Sequence, residues 1–321
     1  MSASPSPRAP TSATPEPVLV IHGGATRNVV TFTSTVREFE TRVNNASDGR
    51  RFTFIPVFWG DLAPDFVGLR CAIPPPEPCQ PSESLMVPGE DLGTAPGFDF
   101  PGVIGRILDR LMAIGPFEDW AERQTSELRR ALLPSASEGL GDLFVYVDRY
   151  EPIHRRLRDV LADAGNGWGA PDRPISVLGH SLGGIIAFDA ARSSVSPISI
   201  KRFVTFGSQP AVLHILDPDR EILASSRATV QRLPPFNGLD KVRLPITIGA
   251  WLSIWHAMDP LAFLAGTVFE LSDGSPVVDE RIEGQEGTWS NAHFCYWKHT
   301  DMTRLVSTAL LSAEPAPLSP D

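Results

Sequence analysis

Short apolar runs alternate with amphipathic stretches over most of the chain. Val18-Leu19-Val20-Ile21 is an apolar run that stops at His22-Gly23-Gly24. A run of that length ending in a glycine turn predicts a strand buried on both faces. Spacing from about Val29 to Val43 predicts a helix, and Phe52 to Phe58 a second strand. The alternation resumes with a helix over Tyr150 to Ala164, a strand at Ile175 to Leu178, a helix over Leu182 to Ala191 and a strand at Arg202 to Phe206. Ile246 to Trp255 reads as a late strand, Val277 to Ile282 as the last, and Met302 to Leu311 as the final helix. Strands alternating with helices predict an α/β domain, with a mostly parallel central sheet covered by helices on both faces. No internal repeat is evident.

The alternation breaks between Trp59 and Gly141. Residues 72–97 are rich in Pro, Glu and Gly, and two amphipathic segments follow near Val103 to Ala113 and Phe117 to Leu133. We read residues 59–141 as a helical and irregular cap-like insertion over a domain spanning 17–312, against the plainer alternative of two surface helices and a long loop. Residues 1–16 are rich in Ser, Pro and Thr and lack an apolar core, so they read as a disordered tail rather than a secretory signal. Residues 313–321 read as a second tail.

Composition narrows the class. The chain carries 28 basic and 38 acidic residues, a formal net charge of −10. That balance disfavours nucleic acid and anionic membranes as partners. The apolar stretch from Trp251 to Phe269 contains His256, Asp259 and Pro260, which argues against an integral membrane segment. Cys71, Cys79 and Cys295 show no zinc or C-x-x-C spacing. Cys71 and Cys79 bracket a proline-rich stretch and would pair only in an oxidising compartment. An odd count without a signal reads as reduced thiols, hence a cytoplasmic protein.

The motif that carries chemistry is Gly179-His180-Ser181-Leu182-Gly183, followed by Gly184. It fits G-x-S-x-G between a predicted buried strand and a helix, the context in which a nucleophile is presented on a strained turn. Glycines are needed there because side chains two residues either side would collide with the neighbouring strand and helix. The plain alternative is a tight turn without chemistry.

These residues resemble the nucleophile elbow of lipase- and esterase-type α/β-hydrolases. His22-Gly23-Gly24 resembles their oxyanion-loop motif, and Thr205-Phe206-Gly207-Ser208-Gln209-Pro210 is similar to the strand and turn that follow the elbow helix in many members. The resemblance runs from about Val18 to Thr300 and is weak within the insertion. It implies the α/β-hydrolase fold, a Ser–Asp/Glu–His triad in that chain order, and no metal or organic cofactor. Branches that use an aspartate at the elbow are set aside, since this chain has Ser181, which favours acyl transfer.

On that resemblance Ser181 is the nucleophile. Asp259, just after the run ending at Trp255, is the preferred acid, with Asp217 and Asp219 as alternatives. His293 in Asn291-Ala292-His293-Phe294-Cys295-Tyr296-Trp297 is the preferred base. It lies in what reads as a loop, and His299 is the alternative. His256 would keep the order only with Asp217 or Asp219, while His154 and His214 break it, and His22 and His180 read as loop-shaping residues. The oxyanion donors expected are the backbone N–H groups of Leu182 and Ala25, with Gly24 or Thr26 as alternatives because Ala25 departs from the HGGG form. The expected activity is hydrolysis of a carboxylic ester through an acyl-enzyme, on a small-molecule acyl ester or thioester. A thioesterase, amidase or acyltransferase with the same triad, or an inactive binding protein, are the alternatives.

Overall fold

The structure, a computed structural model, describes residues 14–63, 141–217, 230–259, 261–284 and 289–312. Cys71, Cys79, Asp219, both amphipathic segments and nearly all of the expected cap lie outside the described residues, as do both expected tails apart from residues 14–16, of which Glu16 opens the first strand rather than belonging to a tail.

Strand β1 (Glu16–Ile21) leads into helix α1 (Val29–Asn45), which Asn28 caps by accepting the Thr31 N–H. Phe32, Val36, Phe39 and Val43 recur every three to four residues and form the buried stripe of α1. Strand β2 (Phe52–Val57) returns beside β1 in parallel register. After a helical stretch at residues 141–148 come α2 (Tyr150–Ala164), β3 (Ile175–His180), α3 (Leu182–Ala191), β4 (Ile200–Phe206) and α4 (Pro210–Leu216). Two-residue strands β5 (Val242–Arg243) and β7 (Phe269–Glu270) pair with each other. Strands β6 (Ile248–His256) and β8 (Val278–Ile282) complete the main sheet, and α5 (Trp289–Cys295) and α6 (Thr300–Leu311) close the described chain.

The main sheet has six strands in the order β2-β1-β3-β4-β6-β8, every neighbouring pair parallel. Side chains alternate between two cores. Leu19, Ile21, Val177 and Phe203 join the core under α2 and α3, whereas Val18, Val20, Leu178 and Val204 join the one under α1 and α6. Burial on both faces is why these strands read as unbroken apolar runs. Chain order reverses at β1, since β2 lies on one side of it and β3 on the other. In open parallel sheets the crevice at such a switch point, beyond the strands' carboxyl ends, is where ligands bind.

The predicted elements from β1 to β4, and β6, β8 and α6, are present within about two residues at most ends. Helix α4 and the small β5–β7 pair are not foreseen from periodicity. Trp59, taken as the first residue of the insertion, belongs to the core: it is fully buried, and its indole stacks on His22 with centroids 4.9 Å apart. Among the described residues no helix is long and apolar enough to cross a membrane.

The α1 stripe makes a direct test. Phe39 is fully buried against Phe54 and Trp297. Phe39→Ala should lower unfolding stability by about 3–5 kcal/mol in a denaturant titration. Val30→Ala, at a position 74 % exposed on the same helix, should stay within about 0.5 kcal/mol.

Candidate active site

Register brings the carboxyl ends of four strands side by side. Ile21 pairs with Gly179, His180 with Phe206, and Phe206 with Ile254. The residues that follow therefore meet at one edge: His22-Gly23 after β1, Ser181 after β3, Gly207 after β4 and Asp259 shortly after β6. Ser181 turns the chain sharply from β3 into α3, with φ 51° and ψ −125°. A non-glycine residue at positive φ stores about 1–3 kcal/mol of strain and needs surroundings that hold it. Here the Ser181 N–H donates to the Phe206 carbonyl (2.9 Å), and the Ser181 carbonyl accepts from Gly184 N–H (3.0 Å) and Ser208 Oγ (2.6 Å).

The glycines around the turn mark where no side chain fits. A Cβ on Gly179 would lie 2.6 Å from the Gly184 Cα. One on Gly183 would strike the Ile21 carbonyl oxygen and come within 2.7 Å of the His22 carbonyl oxygen. One on Gly23 would lie 2.6 Å from the Ser181 Cβ.

Ser181, His293 and Asp259 are brought into one hydrogen-bonded line. His293 Nε2 lies 2.8 Å from Ser181 Oγ, and its Nδ1 lies 3.0 and 2.9 Å from the two Asp259 oxygens. With Nδ1 protonated towards the carboxylate, Nε2 is left to accept the serine proton. All three are 5–7 % exposed, sheltered yet reachable. Burial alone would raise the Asp259 carboxyl. Hydrogen bonds from His293, Tyr296 and the Leu261 N–H, with the charge of His293, outweigh it and hold the group below the usual carboxylate range. The expected loop around His293 is instead the short helix α5. A 3-10 turn follows directly, and its first residue, Tyr296, lies three residues after His293. Tyr296 donates its hydroxyl to Asp259 Oδ2 (2.8 Å) and accepts from the His256 N–H (3.1 Å). Burial and the adjacent carboxylate push its phenol up, so it stays a donor.

Gly207 makes the pairing possible. Its φ is +56°, and a Cβ there would lie 2.8 Å from Asp259 Oδ2 and 3.2 Å from the His293 ring. Tyr296, Ser208 and Gly207 were visible in the quoted motifs, but periodicity gave no sign that they support the line.

The other histidines have structural partners. His299 accepts the Asp301 N–H at the start of α6 and donates to the Glu283 carbonyl, so it caps a helix away from the line. His256 bonds the Met258 N–H and the Gly284 carbonyl, His154 the Tyr146 hydroxyl, and His214 the Pro234 carbonyl. Asp217 ends α4 and is not part of the line. His22 donates from Nδ1 to the Gly23 carbonyl (2.7 Å) and accepts the Trp59 N–H at Nε2 (3.0 Å), while the Trp59 indole N–H returns to the His22 carbonyl. His180 donates from Nε2 to the His293 carbonyl (2.8 Å) and stacks on Phe206.

The Leu182 N–H, first in α3, has no partner among the described residues, and a helix N-terminus favours negative charge there. The expected second donor, Ala25, is differently engaged. Its backbone is left-handed at φ 60°, and its N–H donates to the Asp142 carboxylate. The Gly24 N–H has no partner among the described residues. No group of three or more His, Cys, Asp or Glu side chains among them is placed to hold a metal ion. No protein-family model matches the chain, and no curated protein matches its sequence.

Two buried imidazoles give the fold a pH dependence. Burial pushes His22 down to about 4, offset in part by its bond to Gly23, and pushes His180 down to about 3 with the help of neighbouring His293. Unfolded histidine titrates near about 6.5. Between those values the unfolded chain binds more protons, so stability falls as pH falls from about 6.5 towards 3. The melting temperature should therefore drop clearly between pH 7 and pH 5. His22→Gln, whose amide can serve both partners without titrating, should remove part of that slope. A flat profile in the unmodified protein would show that neither ring is buried in its neutral form.

Proposed function

We propose that the protein is a serine hydrolase of the α/β-hydrolase fold that cleaves a carboxylic ester through an acyl-enzyme. The observation that carries this reading is the unbroken Asp259–His293–Ser181 hydrogen-bonded line at a strand-to-helix turn. Its setting supports it. The serine sits on a strained turn, at the N-terminus of α3, beside the switch point of a parallel sheet. The α/β-hydrolase fold is supported by the strand order and by this elbow together.

In this mechanism His293 Nε2 takes the Ser181 Oγ proton as Oγ adds to the ester carbonyl carbon. The carbonyl oxygen becomes an oxyanion stabilised by the Leu182 N–H and an N–H of the loop after β1. Collapse breaks the bond to the alcohol oxygen, which takes the proton from His293 and departs. A water then gives a proton to His293 and attacks the acyl carbon, and the second collapse returns that proton to Ser181 Oγ. Asp259 holds the ring in the required tautomer and stabilises the imidazolium. Thioesters and amides would pass through the same steps, and a substrate panel sorts them.

A fluorophosphonate probe should label the protein at Ser181. Ser181→Ala should abolish labelling and lower ester turnover by on the order of 10⁶-fold. His293→Ala and Asp259→Asn should each cripple turnover, while His299→Ala should change it little. Normal labelling of Ser181→Ala, or an inactive His299→Ala beside an active His293→Ala, would overturn the assignment.

A further inference from the structure

Asp142 is a fully buried carboxylate that the acyl-transfer steps above do not use. It enters the helical stretch 141–148, which runs into α2. Its Oδ2 accepts the Ala25 N–H and an Arg27 Nη1 bond (3.2 Å), and its Oδ1 pairs with Arg27 Nη2 at 2.5 Å. Both partners lie in the loop after β1, the loop whose Gly23 abuts Ser181. Gly24 lies against the same side chain: a Cβ there would come within 2.9 Å of Asp142 Oδ2. The stretch that carries Asp142 is itself anchored to the elbow helix, because Tyr146 donates to Asp189 of α3 at 2.8 Å.

We infer that Asp142 is a positioning residue for the oxyanion loop: it clamps Ala25 and Arg27, takes the Ala25 N–H out of reach of substrate, and leaves the Gly24 N–H to act with Leu182. The inference rests on the acyl-transfer reading of the Ser181 site. Two features distinguish a clamp from a casual contact. Ala25 is an alanine at positive φ, a backbone conformation that persists only when its surroundings enforce it. A buried carboxylate held by a guanidinium and a backbone N–H is also a rigid fixture, since charge-assisted, two-point pairing fixes both distance and direction. A carboxylate that merely filled the anion site until substrate displaced it would have no use for the Arg27 fork. With the Ala25 amide engaged by Asp142, the neighbouring Gly24 N–H, which has no partner among the described residues, is the loop donor that remains.

The test compares Asp142→Ala, the near-isosteric Asp142→Asn and Arg27→Gln with the unmodified full-length protein. It uses a chromogenic acyl ester and a trifluoromethyl ketone, whose adduct with Ser181 carries a tetrahedral oxyanion. Removing one oxyanion donor from a serine hydrolase costs about 10²–10³-fold in kcat, so misplacing one should lower kcat by about 10- to 100-fold. KM should change by less than about threefold, because the effect falls on the transition state. Affinity for the trifluoromethyl ketone should fall by the same factor as kcat. Asp142→Asn keeps an acceptor for Ala25 and should be the milder of the two Asp142 variants. A purely structural role would lower the melting temperature without this matched loss. Wild-type kcat and ketone affinity in folded Asp142→Asn or Arg27→Gln would overturn the inference, and so would a rise in kcat, which would mark Asp142 as a plug. If the unmodified protein neither labels with fluorophosphonate nor hydrolyses any ester, the acyl-transfer reading falls first and this one with it. An active parent beside fully active variants defeats only the role of Asp142.

Discussion

The arrangement depends on one constraint: the loop after β1 and the turn after β3 approach so closely that no side chain fits between them. Gly183 backs onto the Ile21 and His22 carbonyls, Gly23 backs onto Ser181, and Gly179 backs onto Gly184. Because β1 and β3 are adjacent parallel strands, this contact sits at the point where the sheet reverses its winding. A side chain at any of these places would push the serine turn away from the loop that faces it. The strain at Ser181 is held from the next strand as well, through the Phe206 carbonyl and Ser208.

A layer of buried polar groups then converts that contact into a defined geometry. His180 holds the α5 backbone at His293, Tyr296 and the Leu261 N–H hold Asp259, and His22 with Trp59 holds the end of β1. Each of these groups would be expensive to bury alone, and each is paired. Paired and sheltered, His22 and His180 are held neutral and Asp259 ionised within one small volume.

How far the amino-acid order already discloses this differs from part to part. The central strands and α2 and α3 are readable because burial on both faces leaves unbroken apolar runs, and because glycine turns punctuate them. Ser181 was legible for the same reason: its neighbours are glycines at the spacing a strand-to-helix turn needs. His293 and Asp259 were reached by chain order, and their meeting needed the register of β4 and β6, which no local pattern encodes. The short helix α5 was misread as a loop because seven residues are too few for a helical period to declare itself. Asp142 was not legible at all. Its partners lie 115 and 117 residues earlier, and a lone aspartate beside a glycine carries no sign of a distant backbone amide. The identity of the loop donor was obscured likewise, since nothing in Gly24-Ala25 tells which amide a buried acid will claim.

Dispersal of the site along the chain has a consequence for how the protein comes into being. The serine and the imidazole are 112 residues apart, and the carboxylate joins from a third segment beyond another strand. Every strand pairing in the main sheet is parallel, so each contact must wait for an intervening crossover to be laid down. Long-range pairings of that kind form late and slowly. A nascent chain holds the serine well before the helix bearing the imidazole has been synthesised. On the proposed acyl-transfer reading, the serine has no base until that helix docks, and a partly made molecule is silent towards acyl groups around it. On that reading, the docking of α5, made after the last strand, and the onset of reactivity are the same event.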